Sequence, residues 1–165
     1  MKKTIISEKI IELLQTRIRH EEANHKKYSA MSNWLNLSGF TGAAKLWKTY
    51  AADELSHKDW AVQYLLDLNI LPVEPSQEQV QVEFKGLSNI IALSYQVELT
   101  TTDEVKSLAK TCLEESDMIT FGLAQKYVNE QIEEISKIQT WIDKLDAFGV
   151  DNVALRLLDN EMNNI

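Results

Sequence analysis

Cysteine is nearly absent: Cys112 is the only one in 165 residues, so no intrachain disulfide can form and a thiolate zinc site has no ligand set. Basic residues are outnumbered 17 to 25, and the resulting formal charge of −8 repels a phosphate backbone, which argues against nucleic acid as a partner. No apolar run approaches the roughly 18 residues of a membrane helix, so no membrane span is expected. The opening residues are interrupted by polar side chains too soon for a secretory signal, and a reducing cytoplasm is the expected compartment. Only two prolines and five glycines punctuate the chain, which leaves very long unbroken stretches of helix formers. What is present is 44% apolar and 25% charged residues, an ordinary soluble composition. At about 150 residues per domain, residues 1–165 form a single domain with a sizeable core.

These stretches predict an all-α fold. From Ser7 to Leu35, Ile11, Leu14, Ile18, Tyr28 and Leu35 keep to the steps of one helix face. After turn residues around Gly39, a second face runs through Trp47, Tyr50, Ala51, Ala61, Tyr64 and Leu65 to Leu68, and so short a link makes the two helices antiparallel. Both prolines, Pro72 and Pro75, fall between Asn69 and Gly86, a connection of a length that compact domains use when the chain must travel the length of the body. The second and third helices are therefore expected to be parallel. A third helix runs from Leu87 to Glu115 on Ile91, Tyr95, Val105, Leu108 and Cys112. Ser116-Asp117 can cap a fourth, carried by Phe121, Ala124, Tyr127, Val128, Ile138, Trp141 and Leu145, and Val153 to Leu158 can form a short fifth. The expected architecture is a four-helix bundle with one long crossover between the second and third helices and a short C-terminal helix.

Each long helix also places polar residues on the stripe that should face the core. Glu21 lies seven residues after Leu14 and seven before Tyr28. Glu54 follows Tyr50 by four, and His57 lies three further on, so Glu-x-x-His projects from one side. Glu98 lies seven from both Ile91 and Val105, and Gln131 and Glu134 stand three apart between Tyr127 and Ile138. An unpaired buried carboxylate costs several kcal/mol, and four together repel, so the pattern calls for a cation. A basic neighbour is one answer: Arg17, four before Glu21, or Lys58, four after Glu54, could serve. A pair of metal ions is the other, and oxygen-rich ligation with one imidazole suits iron or manganese. One such constellation on every helix favours the di-metal reading, because Glu-x-x-His alone recurs by chance. His25, one turn after Glu21, reads as a partly exposed histidine; Tyr28 is either packing or a hydrogen-bond partner of a ligand that supplies an electron.

The chain resembles the bacterial non-haem ferritins in Met31-Ser32-Asn33-Trp34, Gly39-Phe40-x-Gly42-Ala43-Ala44-Lys45, Ala52-Asp53-Glu54-Leu55-Ser56-His57 and Tyr127-Val128-Asn129-Glu130-Gln131-Ile132-Glu133-Glu134, in that order. The resemblance implies a ferritin-like di-iron domain whose ferroxidase centre has Glu21, Glu54 and His57 on one iron and Glu98 on the second. Glu54 bridges, Gln131 and Glu134 complete the set, and Tyr28 matches the family tyrosine beside the centre. It further implies a third iron at Asp53, Glu130 and Glu133 with Glu98 shared, although the family has Glu where this chain has Asp53, which shortens the reach by one methylene. The aromatic usually found five before Gln131 is replaced by Lys126, which departs from a tyrosine and tryptophan relay. Bacterioferritin fits less well: its second metal pair is Glu-x-x-His, and the methionine that ligates its haem is matched by Leu55, so no haem is expected.

The function implied is iron storage with ferroxidase activity. Fe(II) is oxidised by O₂ or H₂O₂ and deposited as a ferric mineral in a homo-oligomeric shell, which the resemblance puts at 24 subunits. The rival on the same fold is a di-iron redox enzyme of peroxidase type that stores no iron, because this bundle hosts several chemistries. A helical interaction module with solvated acids is the third reading, and it binds no metal tightly.

Overall fold

The computed structural model describes residues 4–76 and 78–165, and among these it contains five helices and no strand. They are α1 (Glu8–Leu37), α2 (Thr41–Asp67), α3 (Leu87–Glu114), α4 (Met118–Phe148) and α5 (Asn152–Met162). Local chemistry explains the boundaries. Ser7 caps α1 through Ile10 N, Asp117 caps α4 through Ile119 N and Thr120 N, and Asp151 caps α5 through Val153 N and Ala154 N. Gly39 makes the α1–α2 turn at φ +85°, which L side chains rarely adopt.

Cross-helix bonds give the topology. Arg17 meets Glu104, Asn24 meets Thr101 and Tyr28 meets Glu98, so α1 and α3 run antiparallel. Tyr64 pairs with Thr120, Tyr127 with His57 and Trp141 with Tyr50, so α2 and α4 are antiparallel too. With α1 and α2 joined by a tight turn, α2 and α3 are parallel, as the crossover requires. That crossover has no regular structure in its described residues and is tied down from α1 and α2. Gln15 accepts from Val73 N at 3.0 Å, and Lys58 pairs with Glu74 at 2.9 Å.

The apolar stripes build two separate clusters. One, at the α1–α2 turn end, gathers Tyr28, Leu35, Trp47, Tyr50, Ile90, Ile91, Ile138 and Trp141, together with Leu158 and Met162 of α5. The other holds Ile10, Leu14, Ile18, Ala61, Leu65, Val105, Leu108, Cys112, Ala124 and Tyr127. Full burial of each aliphatic side chain is worth about 1.5–3 kcal/mol, and truncating one such as Leu14 or Leu65 to Ala costs about 2–5 kcal/mol. The fifth helix extends four residues beyond the apolar run that announces it in the sequence, because Asp159 and Met162 are both buried against the bundle.

Candidate metal centre

Between the two apolar clusters every long helix turns polar residues inward. Arg17, Glu21 and Asn24 come from α1, Glu54 and His57 from α2, Glu98 and Thr101 from α3, and Gln131 and Glu134 from α4; all are buried. Steps of three, four and seven residues along α-helices, continuous with the apolar stripes above and below, bring these groups to one level. The bundle is an apolar body with a polar layer at mid-height.

Glu21, Glu54 and His57 each offer a ligand atom, and these atoms lie within 4.8 Å of one another. His57, Glu130 and Glu134 form a second such group, so the imidazole stands between the two. Its Nδ1 is 3.7 Å from Glu54 Oε2 and its Nε2 is 3.6 Å from Glu130 Oε1. On α3, Glu98 accepts a hydrogen bond from the Tyr28 hydroxyl, and its Oε2 accepts one from Gln131 Nε2 at 2.6 Å. Glu134 Oε1 accepts from Lys137 Nζ at 2.7 Å. The Tyr127 hydroxyl donates to the His57 carbonyl oxygen at 2.6 Å, which fixes α4 against α2 at the height of the imidazole.

Burial dominates the electrostatics of this layer. Burial pushes the Glu54 carboxyl well above the usual range, and the neighbouring Glu21, Glu98 and Glu134 push it further. Burial also raises Glu98, against the hydrogen bonds from Tyr28 and Gln131 that favour its anion, and raises Glu134 against Lys137. The Tyr28 hydroxyl is held well above its ordinary value by burial and by the charge of Glu98, so it is a proton donor at neutral pH. Glu21 Oε2 is buried with no hydrogen-bond partner. A proton held between the buried Glu54 and Glu21 carboxyl groups stands where a divalent cation with mainly oxygen ligands fits.

Of the six residues expected at a di-metal centre, Glu21, Glu54, His57 and Glu134 fall in groups that could hold a metal, whereas Glu98 and Gln131, buried in the same layer, bond each other outside those groups, and Tyr28 bonds Glu98. Among the residues the resemblance offered for a third ion, Glu130 reaches His57 and Glu134. Asp53 is half-buried and Glu133 exposed, and among the described residues neither joins a group that could hold a metal. Of the two basic neighbours left open by the sequence, Arg17 does pair with Glu21, whereas Lys58 turns to Glu22 at 3.1 Å and to Glu74. Lys137 was not singled out by sequence reasoning; its spacing of three from Glu134 is the signal that could have found it. The Trp60 ring lies 4.8 Å from that of His57 and 5.3 Å from that of Tyr127, under the Lys126 ammonium at 3.6 Å. His25 stays outside the centre, with Nδ1 2.7 Å from the Ala51 carbonyl oxygen.

Comparison with known proteins gives the family. Residues 11–148 match the model of the ferritin-like domain family. A probable bacterial non-haem ferritin-like protein of Haemophilus influenzae is 32% identical over 161 residues, covering 98% of both chains, and a bacterial non-haem ferritin of Escherichia coli is 29% identical with the same coverage. An open-pore ferritin from the hyperthermophilic archaeon Archaeoglobus fulgidus superposes with a TM-score of 0.92 at 25% identity, over 96% of this chain and 97% of that one. Matched in its helical frame and along nearly its whole length, this chain belongs to the ferritin-like domain family.

Proposed function

We propose that the chain is an iron-storage ferritin of the non-haem kind. Its mid-bundle centre oxidises Fe(II) to Fe(III) and passes the product into a shell of many copies, which by family likeness numbers 24. The observation that carries this is the buried layer itself: Glu21 and Glu54 on one side and Glu130 and Glu134 on the other bring ligand atoms to one imidazole, His57, with Glu98 buried in the same layer on Tyr28 and Gln131. Fe(II) is the substrate. Glu21, Glu54 and His57 hold one ion, Glu54 is shared, and Glu98, Gln131 and Glu134 hold the second. The names of the relatives, ferritins from several bacteria and an archaeon, support the same reading.

The chemistry follows from charge and electron count. Two ferrous ions held together deliver two electrons to one oxidant. With O₂ and two protons the products are two ferric ions and H₂O₂; with H₂O₂ and two protons they are two ferric ions and two waters. Carboxylate ligands favour the higher charge of Fe(III) and so favour the oxidation. Tyr28 keeps Glu98 in place by donating to it, while Gln131 Nε2 holds the other carboxylate oxygen. The net charge of −8 attracts Fe(II) to the particle. Leu55 offers no axial ligand, so the centre is expected to work without haem.

The test is aerobic addition of several hundred Fe(II) per assembled particle to metal-free protein, with the mass of the particle measured by light scattering before and after. A large shell that keeps ferric iron in solution, with initial oxidation slowed about 10-fold or more in Glu54→Ala and in His57→Ala, is the expected result. A monomer or dimer from which iron precipitates overturns the storage reading and leaves a di-iron redox enzyme.

A further inference from the structure

Arg17 is a cation enclosed within the layer that the metal ions are to enter. Its side chain is 2% exposed, as deeply buried as the apolar residues around it. The guanidinium donates through Nη2 to Glu21 Oε1 and through Nη1 to Glu104 Oε2 at 2.5 Å, and its carbon stands 5.6 Å from the centre of the Tyr127 ring. Nε is buried with no partner. The second partner, Glu104, lies further out, 27% exposed, and is itself paired with His20 Nδ1 at 2.6 Å. Glu21 therefore has one oxygen committed to a fixed positive charge and the other, Oε2, buried beside the Glu54 carboxyl.

We propose that Arg17 is a resident counter-ion that positions Glu21 as a one-oxygen ligand and weakens metal binding there, so that the centre passes iron on instead of retaining it. The inference rests on the reading of this layer as a metal centre. Two consequences follow from elementary electrostatics. In the metal-free protein Arg17 offsets part of the mutual repulsion of the carboxylates, so the site stays folded and open without an ion. When a divalent ion reaches Glu21, the guanidinium repels it in a low-dielectric interior, and it repels the trivalent product more strongly because the interaction scales with charge. Glu104 gives the guanidinium an outer partner that shares its charge with Glu21 and moderates the effect. A site built this way binds its substrate ions loosely and releases the oxidised ones.

The probe is Co²⁺ alone, added without oxidant to the metal-free full-length protein and followed by calorimetry and by its visible absorption, with melting temperature measured at each loading. Arg17→Gln is expected to bind Co²⁺ about 10-fold or more tightly than the unaltered chain, to melt lower when metal-free, and to gain more on loading. Arg17→Lys, which keeps the charge, stays near the unaltered affinity. Glu104→Gln, which leaves Arg17 wholly to Glu21, binds severalfold more weakly, while Asp103→Asn, removing the same charge from an exposed neighbour, changes affinity less than twofold. Unchanged or weaker Co²⁺ binding in folded Arg17→Gln overturns the proposal, because a merely structural arginine lowers stability without tightening the metal. If that variant does not fold, Glu104→Gln decides, and an unchanged affinity there overturns the proposal. Equal Co²⁺ binding by the unaltered chain and His57→Ala overturns the metal-centre reading as well; loss of binding in His57→Ala together with no change in Arg17→Gln overturns the role of Arg17 alone.

Discussion

Glu54 is a carboxyl group placed where its anion is poorly tolerated, and its behaviour without metal follows from that. Burial and three neighbouring glutamates raise its folded value above the ordinary 4.5, so the folded state keeps this proton at a pH where the unfolded chain has lost it. The stability associated with it is present below about pH 4.5 and is lost as pH rises through the raised value. Glu54→Gln is therefore expected to raise the melting temperature of the metal-free protein at pH 7, by an amount that fades as the pH is lowered toward 4.5. Thermal melts across that range check it, and loading with Co²⁺ should reverse the order, because only the carboxylate gains a ligand. Most of these residues were legible in the sequence: Glu21, Glu54, His57, Glu98, Gln131 and Glu134 stand at apolar-stripe positions, and helical period alone puts them inside. Their partners were less so. Arg17 and Lys58 have the same spacing from a glutamate in sequence, yet one turns inward to Glu21 and the other outward to Glu22 and the crossover. Which way a long side chain goes is set by what the facing helices offer, and spacing along one helix does not contain that.

At the scale of elements, the N-terminus of α2 lacks a cap of its own, since Phe40 offers no side-chain acceptor. Asp159 of α5 supplies it from across the molecule, accepting from Ala43 N at 2.8 Å while buried to 2% exposure. A carboxylate at a helix N-terminus satisfies an orphan N–H and complements the helix dipole. Asp159→Ala is expected to lower stability by about 1–2 kcal/mol and to free α5, read by denaturant unfolding and by faster amide exchange in residues 152–162. Gly42 permits the approach: a Cβ there would lie 1.9 Å from the Asp159 carbonyl oxygen, so Gly42→Ala should release α5 as well. On α3, burial and the charges of Asp117 and Glu115 push the Cys112 thiol up to about 11. It should resist alkylation at pH 8 until the protein unfolds. Because its folded value lies above the unfolded 9, the stability it contributes is present below pH 9 and lost as pH rises toward 11, and Cys112→Ala should flatten that part of the stability profile. The helices and the connection between them were legible because period, turn residues and proline are local signals. The inward end of α5 was not, since the partner of Asp159, the Ala43 N–H, lies on α2, far away in sequence.

The whole molecule is two apolar bodies joined by a polar layer, and one end of it is unfinished. Phe148, Val150, Val153 and Leu157, between 60% and 72% exposed, surround the α4–α5 turn, where Phe148, Val153 and Leu157 line a cavity of about 410 Å³. Clustered exposed apolar side chains mark candidate association surfaces. If the shell proposed above forms through this end, Val153→Asp combined with Leu157→Asp should shift the particle to a smaller mass in light scattering. The helical circular dichroism and Co²⁺ binding of each subunit should remain.

The sequence by itself determined the class of fold, the order and near-bounds of the helices, the crossover and the level at which polar residues enter the core. All of these depend on residues close together along one chain segment. Only the tertiary structure decided that His57 stands between two carboxylate groups, that Tyr28 and Gln131 share Glu98, that Arg17 and Lys137 pair with Glu21 and Glu134, and that Asp159 caps a helix 116 residues away. Those pairings join segments by side-chain reach across helix interfaces. Helical period fixes the face and height of a side chain; the partner it meets depends on how neighbouring helices are set against one another.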